Sequence, residues 1–487
     1  MSLYTRRGFI GLGGAAVTAG MLEARAVSGK RPNILYMMAD DHAAHAISAY
    51  GSRINQTPNI DRIASGGMRF DNCFCTNSIC TPSRAAILTG QYSHKNGVYT
   101  LNDALDGSRQ NVAKLLQGSG YQTAMIGKWH LQNEPTGFDY WNILPGQGVY
   151  YNPEFIDMGT RKKHTGYCTD LIADFSLDWL KKRDKSKPFF MMSHHKAPHR
   201  PWQPAPKYAH LFDDQQIPEP VNLFDHYEGR ARSVASVQMK VGENSTKTDL
   251  KVDRPAGLEG DALRKWAYQL YIKDYLRCVQ SVDDNVGRML DYLDSEGIAD
   301  NTLVIYTSDQ GFFLGDHGFY DKRLMYEESI RMPFVIRYPG VVQPRSVTKD
   351  MVLNVDFAPM FLDFAEVSVP ADMQGQSFRG TLVGKTPKKW RESFYYRYWM
   401  HNDGDHHVPA HYGIRTKKWK LIYYYNQALG MKGAHESEQK PEWELFDMEK
   451  DPHEMENLYG KPRYARVTAV LKKELVRLQE ELGDKPA

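Results

Sequence analysis

Several things are scarce in this sequence, and each absence excludes a class. There is no lysine run or basic tail in the 487 residues, and the formal net charge is only +3, which argues against a nucleic-acid binder. There is no internal repeat and no low-complexity tract, so the chain is neither a solenoid nor a disordered linker. No apolar stretch is long enough for a good membrane span. Cysteines number five, Cys73, Cys75, Cys80, Cys168 and Cys278, and an odd, sparse set is not an even disulfide framework. Cys73 and Cys75 lack the usual C-x-x-C spacing and read as buried small residues. What remains is ordinary globular composition, 41% hydrophobic and 24% charged. The length allows one large α/β domain with a smaller partner, or two to three average domains.

The N-terminus stands apart. "TRRGFIGLGGAAVTAGMLEARA" pairs Arg6 with Arg7, continues into a weakly apolar Gly/Ala run and ends in Ala24-Arg25-Ala26. It resembles a twin-arginine export signal. That resemblance assigns 1–26 to a signal peptide, starts the mature protein near Val27 and predicts export in the folded state, to the periplasm or outside the cell.

Four apolar, β-branched or aromatic runs read as buried strands, and each stops at polar residues. "NILYMMA" runs into Asp40-Asp41-His42, and "YQTAMIG" into Lys128-Trp129-His130. "PFFMMS" runs into His194-His195 and then His199, and "TLVIYTS" into Asp309-Gln310. Helical patterns lie between them: "NVAKLLQGSG", "LIADFSLDWLKKR" and a long one from about Gly260 to Glu296. Alternating strands and helices predict an α/β fold, a large and mostly parallel sheet sandwiched by helices. Ligands of such sheets bind beyond the carboxyl ends of the strands, where all four polar clusters fall. The catalytic region is expected over 27–387. Within it, 201–257 is Pro-rich and polar, an irregular insertion that reads equally as a lid or as a surface excursion. From about Lys388 the pattern changes to "ESFYYRYW", "YGIRTKKWKLIYYY" and "WELFDME", strands of an antiparallel sheet. A helix follows with Val467, Leu471, Leu475, Leu478 and Leu482 on one face. Residues 388–487 therefore read as a smaller α+β subdomain.

Asp40, Asp41, Asp309 and Gln310 offer only oxygen donors, which suits Ca²⁺ or Mg²⁺ better than zinc. Neighbouring residues in a strand face opposite ways, so Asp40 and Asp41 share one ion only if the strand has ended. Capping and turn roles for these aspartates are the structural alternative. Arg84, Lys128, His130, His199 and Lys322 add positive charge and proton donors. A cation with basic side chains at one sheet edge implies an anionic substrate. His42, His45, His194 and His195 read as structural.

"CTPSRAAILTG", Cys80 to Gly90, resembles the signature of the formylglycine-dependent sulfatases of the alkaline-phosphatase-like superfamily, and the resemblance extends from "RPNILYMMADD" to "WELFDMEKDPHEMENLYG". It implies that a maturing enzyme, a formylglycine-generating or anaerobic sulfatase-maturing one, converts Cys80 to formylglycine. It also implies that the hydrated aldehyde attacks sulfate sulfur. By the same resemblance Asp40, Asp41, modified Cys80, Asp309 and Gln310 hold the metal, with Ca²⁺ favoured over Mg²⁺. Arg84, Lys128, His130, His199 and Lys322 join Cys80 as catalytic residues, with His199 the first choice to protonate the leaving alcohol. A helix start also presents backbone N–H groups to an anion.

"GFFLGDHGFYDKRLMYEESIRMPFVIRYPG" and "HNDGDHHVPAHYGIRTKKWKLIYYY" resemble glycan sulfatases grouped with the N-acetylglucosamine-6-sulfatases. The expected substrate is therefore a sulfated glycan, best a 6-O-sulfated N-acetylglucosamine. His401, Asp403, Asp405, His406, His407 and His411 are expected to line a sugar subsite, with an exposed polar loop or a weak metal site as the alternatives. Two other functions stay open at this level. One is a phosphodiester or phosphonate monoester hydrolase of the same superfamily. The other is an unmatured, catalytically silent glycan-binding protein.

Overall fold

The computed structural model describes residues 31–487. The expected export signal lies outside the described residues. Ten strands form the main sheet: β1 (Asn33–Ala39), β2 (Met68–Phe70), β3 (Gln122–Lys128), β4 (Tyr140–Leu144), β5 (Glu154–Asp157), β6 (Thr160–Lys163), β7 (Phe189–His194), β8 (Thr302–Ser308), β9 (Phe334–Arg337) and β10 (Ser346–Thr348). Their order across the sheet is β10-β2-β9-β8-β1-β7-β3-β4-β5-β6. The centre, from β8 to β4, is parallel. β9, β5 and β6 enter antiparallel pairs towards the edges.

β1 shows why the centre is a sheet interior. All seven residues are buried, and alternate side chains serve opposite faces. Ile34, Tyr36 and Met38 enter one core. Leu35, Met37 and Ala39 enter the other. The first core is completed by α1 (Cys80–Thr89), α2 (Val112–Gly118) and α5 (Phe357–Phe364). The second is completed by α3 (Cys168–Lys182) and by α4 (Gly260–Ser295), whose Tyr271, Tyr275, Val282 and Leu290 are buried. Helices thus cover both faces, as the alternating pattern predicts.

Four antiparallel strands follow, β11 (Ser393–Tyr398), β12 (His411–Thr416), β13 (Trp419–Tyr424) and β14 (Glu442–Asp447), paired in sequence order. The helix α6 (Ala465–Leu482) packs on this sheet through buried Leu471, Leu475 and Leu478, with Val467 and Leu482 partly buried. Truncating a buried leucine such as Leu475 to Ala costs about 2–5 kcal/mol. The opposite face of this sheet, through Phe394, Tyr396, Ile422 and Phe446, is continuous with the first core of the large sheet.

Residues 201–257 carry only short helical turns, at Pro206–Tyr208, Arg232–Ala235 and Lys247–Leu250. They are nevertheless well packed: Trp202, Val237, Met239 and Val241 are buried.

Candidate active site

The four strands that end in polar clusters, β8, β1, β7 and β3, are consecutive across the sheet. Their carboxyl ends form one edge. Asp40 and Asp41 follow β1, and Asp309 and Gln310 follow β8. Lys128 closes β3, with His130 two residues on. His199 lies on the loop after β7. All of these are buried, His199 and His130 being the most accessible at 9% and 7%.

Backbone conformation solves the problem of adjacent aspartates. Asp41 has φ 67°, a left-handed state that ends the strand and turns its carboxylate to the side of Asp40. The Asp41 amide then donates to Asp309 Oδ1 at 3.2 Å. Carboxylate oxygens of Asp40, Asp41 and Asp309 lie within 4.8 Å of one another. Gln310 Nε2 donates to Asp41 Oδ1, while Gln310 Oε1 is buried without a partner. Three carboxylates and an unpartnered amide oxygen form a hard, oxygen-only donor set, and it fits a divalent cation. Burial lifts Asp41 to about 7 against the pull of Lys322. A cation here reverses that shift.

Cys80 opens α1 at the foot of this cluster. It is 1% exposed, and its Sγ lies 3.6 Å from Asp40 Oδ1. One atom each of Asp40, Cys80 and His199 also lie within 4.8 Å of one another. Burial, reinforced by the Asp40 charge, pushes the thiol up to about 12. As a plain cysteine it is therefore not a thiolate near neutral pH.

Arg84 directs its guanidinium at the strand-end carboxylates. Its Nε and Nη2 each reach Asp309 Oδ2 at 2.9 Å, Nη2 lies 3.2 Å from Asp40 Oδ2, and Nη1 donates to the Lys128 carbonyl. The guanidinium ties the ends of β8, β1 and β3 together. Ser83 donates to the Asp309 carbonyl and accepts from Asn354 Nδ2 at 2.9 Å, anchoring the same helix. Lys128 Nζ contacts Asp40 Oδ2 and Gln147 Oε1. Lys322 Nζ lies 2.7 Å from Asp41 Oδ1 and 2.8 Å from Oδ2. Burial opposes ionisation of Asp40, yet the charges of Lys128, Arg84 and Lys322 hold its carboxyl well below the usual range. Burial and the Lys128 charge together hold both His199 and His130 well below 6.5, so each ring is neutral. His199 Nδ1 donates to the Arg200 carbonyl at 2.6 Å, which leaves Nε2 facing Asp41 Oδ2 at 3.8 Å. His130, φ 56°, accepts at its carbonyl from Thr81 Oγ1 at 2.9 Å, beside Cys80.

The expected sugar cluster divides. Asp403 and His406 reach the site's rim: His406 Nδ1 is 2.8 Å from Asp403 Oδ1, and Nε2 is 3.4 Å from Asp321 Oδ2. Asp405 groups with them at the surface. The other three are corrected. His411 is fully buried in β12, with its ring against Tyr396, Tyr398 and Tyr424. It is a core residue, because strand alternation points it inward. His401 fixes its own loop, accepting from Ala410 N at Nδ1 and meeting Ser437 Oγ at Nε2. His407 bonds Asn402 Oδ1 at 2.8 Å.

Sequence reasoning missed Asp321 and Arg323. They flank Lys322, are buried, and have φ 75° and 91°. Two left-handed non-glycine residues beside one lysine mark a strained loop. Arg323 lies near Asp321 (3.4 Å) and Asp403 (3.9 Å). The only local signal was a charged "DKR" triplet following an aromatic.

Comparison with known proteins defines the class. The Sulfatase family matches residues 32–367, and the C-terminal region of N-sulphoglucosamine sulphohydrolase matches 315–481. The chain belongs to the sulfatase family and is a sulfuric ester hydrolase. N-acetylglucosamine-6-O-sulfatase from Bacteroides thetaiotaomicron is 46% identical over 497 aligned positions, which span 93% of this chain and 86% of that protein. A structure solved in complex with its substrate D-glucosamine-2-N,6-O-disulfate superposes with TM-score 0.88 at 45% identity, over 93% of this chain and 98% of that one. Phosphonate monoester hydrolase of Agrobacterium radiobacter superposes with TM-score 0.74 at 21% identity, over 93% and 96%. That likeness shows the fold alone.

Proposed function

We propose that the chain removes the 6-O-sulfate of an N-acetylglucosamine or related glucosamine residue in a sulfated glycan. The 46% identical N-acetylglucosamine-6-O-sulfatase carries this reading. The buried, protonated Cys80 thiol supports a converted nucleophile over a thiolate. Asp40, Asp41, residue 80, Asp309 and Gln310 would hold a divalent cation, Ca²⁺ or Mg²⁺, which would supply positive charge to the sulfate and to the oxygen of a formylglycine that a maturing enzyme would make from Cys80.

The remaining work falls to the side chains. Lys128 and Lys322 face the developing negative charge of the sulfate from two sides. Arg84 holds Asp40 and Asp309 in place. His199 presents Nε2 to the leaving alcohol. The ring is neutral in the free site because it is buried beside Lys128, and an arriving sulfate monoanion offsets that charge and favours the imidazolium. The proton then passes from Nε2 to the sugar oxygen as the S–O bond breaks. Asp321, Arg323, Asp403 and His406 at the rim suit sugar hydroxyls.

Sulfate release from 6-O-sulfated N-acetylglucosamine, 2-O-sulfated uronic acid, sulfated galactose and an aryl sulfate tests the assignment. Enzyme co-produced with a maturing enzyme is compared with Cys80→Ala. Release from the 6-O-sulfated sugar above all, absent in the variant, supports it. No release from any member with Cys80 fully converted overturns it in favour of phosphonate or diester hydrolysis. Arg6, Arg7 and the Gly/Ala run support export of the folded protein. Replacing both by Lys should retain it in the cytoplasm, and unchanged secretion overturns that reading.

A further inference from the structure

His199 depends on its neighbours for aim. Its Nδ1–H is fixed by the carbonyl of Arg200 at 2.6 Å, and its own carbonyl accepts from Tyr150 Oη at 2.6 Å. The orientation of the Arg200 peptide therefore sets the orientation of the imidazole. What holds Arg200 is a residue of the insertion. Arg200 Nε donates to Asp249 Oδ1 at 3.0 Å and Nη2 to Oδ2 at 2.6 Å, a two-pronged pair. Asp249 is 3% exposed. Its Oδ2 also accepts from Thr246 N at 2.8 Å and Thr246 Oγ1 at 2.7 Å, a capping box that immobilises the carboxylate.

The same insertion grips the loop of Lys322. The Arg200 guanidinium sits 5.1 Å from the ring centre of Tyr320. Tyr320 Oη donates to the Asn244 carbonyl at 3.0 Å, and Tyr320 N donates to the Met239 carbonyl at 2.9 Å. Val241 N donates to the Gly318 carbonyl at 2.8 Å. Gln238 N donates to the His406 carbonyl at 2.8 Å. One stretch, 238–249, thus joins the loops of His199, Lys322 and His406.

We propose that Asp249 and Arg200 are positioning residues for proton transfer to the leaving alcohol, and that the insertion exists to brace this transfer. The inference rests on the assignment of His199 as the acid. A misplaced acid matters in proportion to the basicity of the leaving group. A sugar alkoxide cannot leave unprotonated, whereas an electron-poor phenolate can. Loss of the brace therefore harms sugar sulfates and spares activated aryl sulfates. A merely structural role lowers both together.

The test measures kcat and KM of the matured full-length enzyme on 6-O-sulfated N-acetylglucosamine and on 4-nitrophenyl sulfate. The variants are Asp249→Asn, Arg200→Lys and His199→Ala. Arg200→Lys keeps the charge and removes the fork, so it stands in if Asp249→Asn folds poorly. The expected result is a kcat loss of about 10- to 100-fold on the sugar with less than about 3-fold loss on the aryl ester, and a larger split of the same sense in His199→Ala. Equal losses on both substrates in Asp249→Asn and Arg200→Lys, with the split kept in His199→Ala, overturn the brace alone. Absence of the split in His199→Ala overturns the acid assignment and the brace with it.

Discussion

Three carboxylates, two lysines and an arginine are buried together at the ends of β8, β1, β7 and β3. A second buried cluster lies where the C-terminal sheet meets the large one. There Lys420 Nζ sits between Glu327 (3.1 Å) and Glu454 (2.7 Å), and Arg415 Nε donates to Glu327 Oε1 at 2.8 Å. The second cluster alternates sign, and each charge faces an opposite one. The first also pairs its carboxylates with Lys128, Lys322 and Arg84, but it crowds three of them, Asp40, Asp41 and Asp309, within 4.8 Å of one another beside the Gln310 amide oxygen. Crowded carboxylates are costly unless something compensates them. Buried charge alone therefore does not mark a site. Three carboxylates crowded together at adjacent strand ends do.

The contrast can be broken in four ways. Cys80→Ala should cut sulfate release by about 10⁴-fold or more, with thermal unfolding little changed; residual turnover near the wild-type level would place the nucleophile elsewhere. Lys420→Met leaves two glutamates facing each other and should cost about 3–5 kcal/mol of stability. Denaturant unfolding reads that cost, while kcat/KM of the folded fraction stays as it was; a matching loss of kcat/KM would join the two clusters functionally. Chelation should abolish activity and lower Tm by about 3 °C, with Ca²⁺ restoring both. Insensitivity to chelation would mean that the oxygen cluster holds no ion.

The smallest effect concerns pH. Burial opposes ionisation of Glu327, but Arg415 and Lys420 depress its folded pKa below the ordinary 4.5. An acid with a depressed folded pKa contributes stability that is complete above the unfolded value and is lost as pH falls through the folded one. Stability should therefore drop below about pH 4.5, and Glu327→Gln should flatten that slope by roughly 1–2 kcal/mol. An unchanged acid limb in the variant would assign the slope to other carboxylates.

The strand ends were legible because each apolar run stops abruptly at its polar residues. "NILYMMA" and "TLVIYTS" coincide with β1 and β8, and their parallel pairing follows from the helices between them. The subdomain histidines were not legible in the same way. His411 lies opposite Tyr398 and Tyr424 in the sheet register, and nothing local distinguishes its inward direction from that of a loop histidine. The work of 238–249 was hidden for another reason. Its partners, Gly318, Tyr320 and His406, are remote in sequence, and the bonds are largely to backbone, which carries no side-chain signature. The fork of Arg84 bonds Asp309 and Asp40, which only the geometry reveals.

Gly127 matters for what it leaves out. It precedes Lys128 with φ 99°, and a Cβ there would fall 2.0 Å from the carbonyl oxygen of His194 on β7. The two strand ends carrying Lys128 and the His194–His199 loop can lie this close only because one carbon is missing between them. The spacing of the lysine from Asp40 is thus governed by an omission. A single added methyl would act as a wedge in the frame that holds the chemistry, without touching a reacting atom.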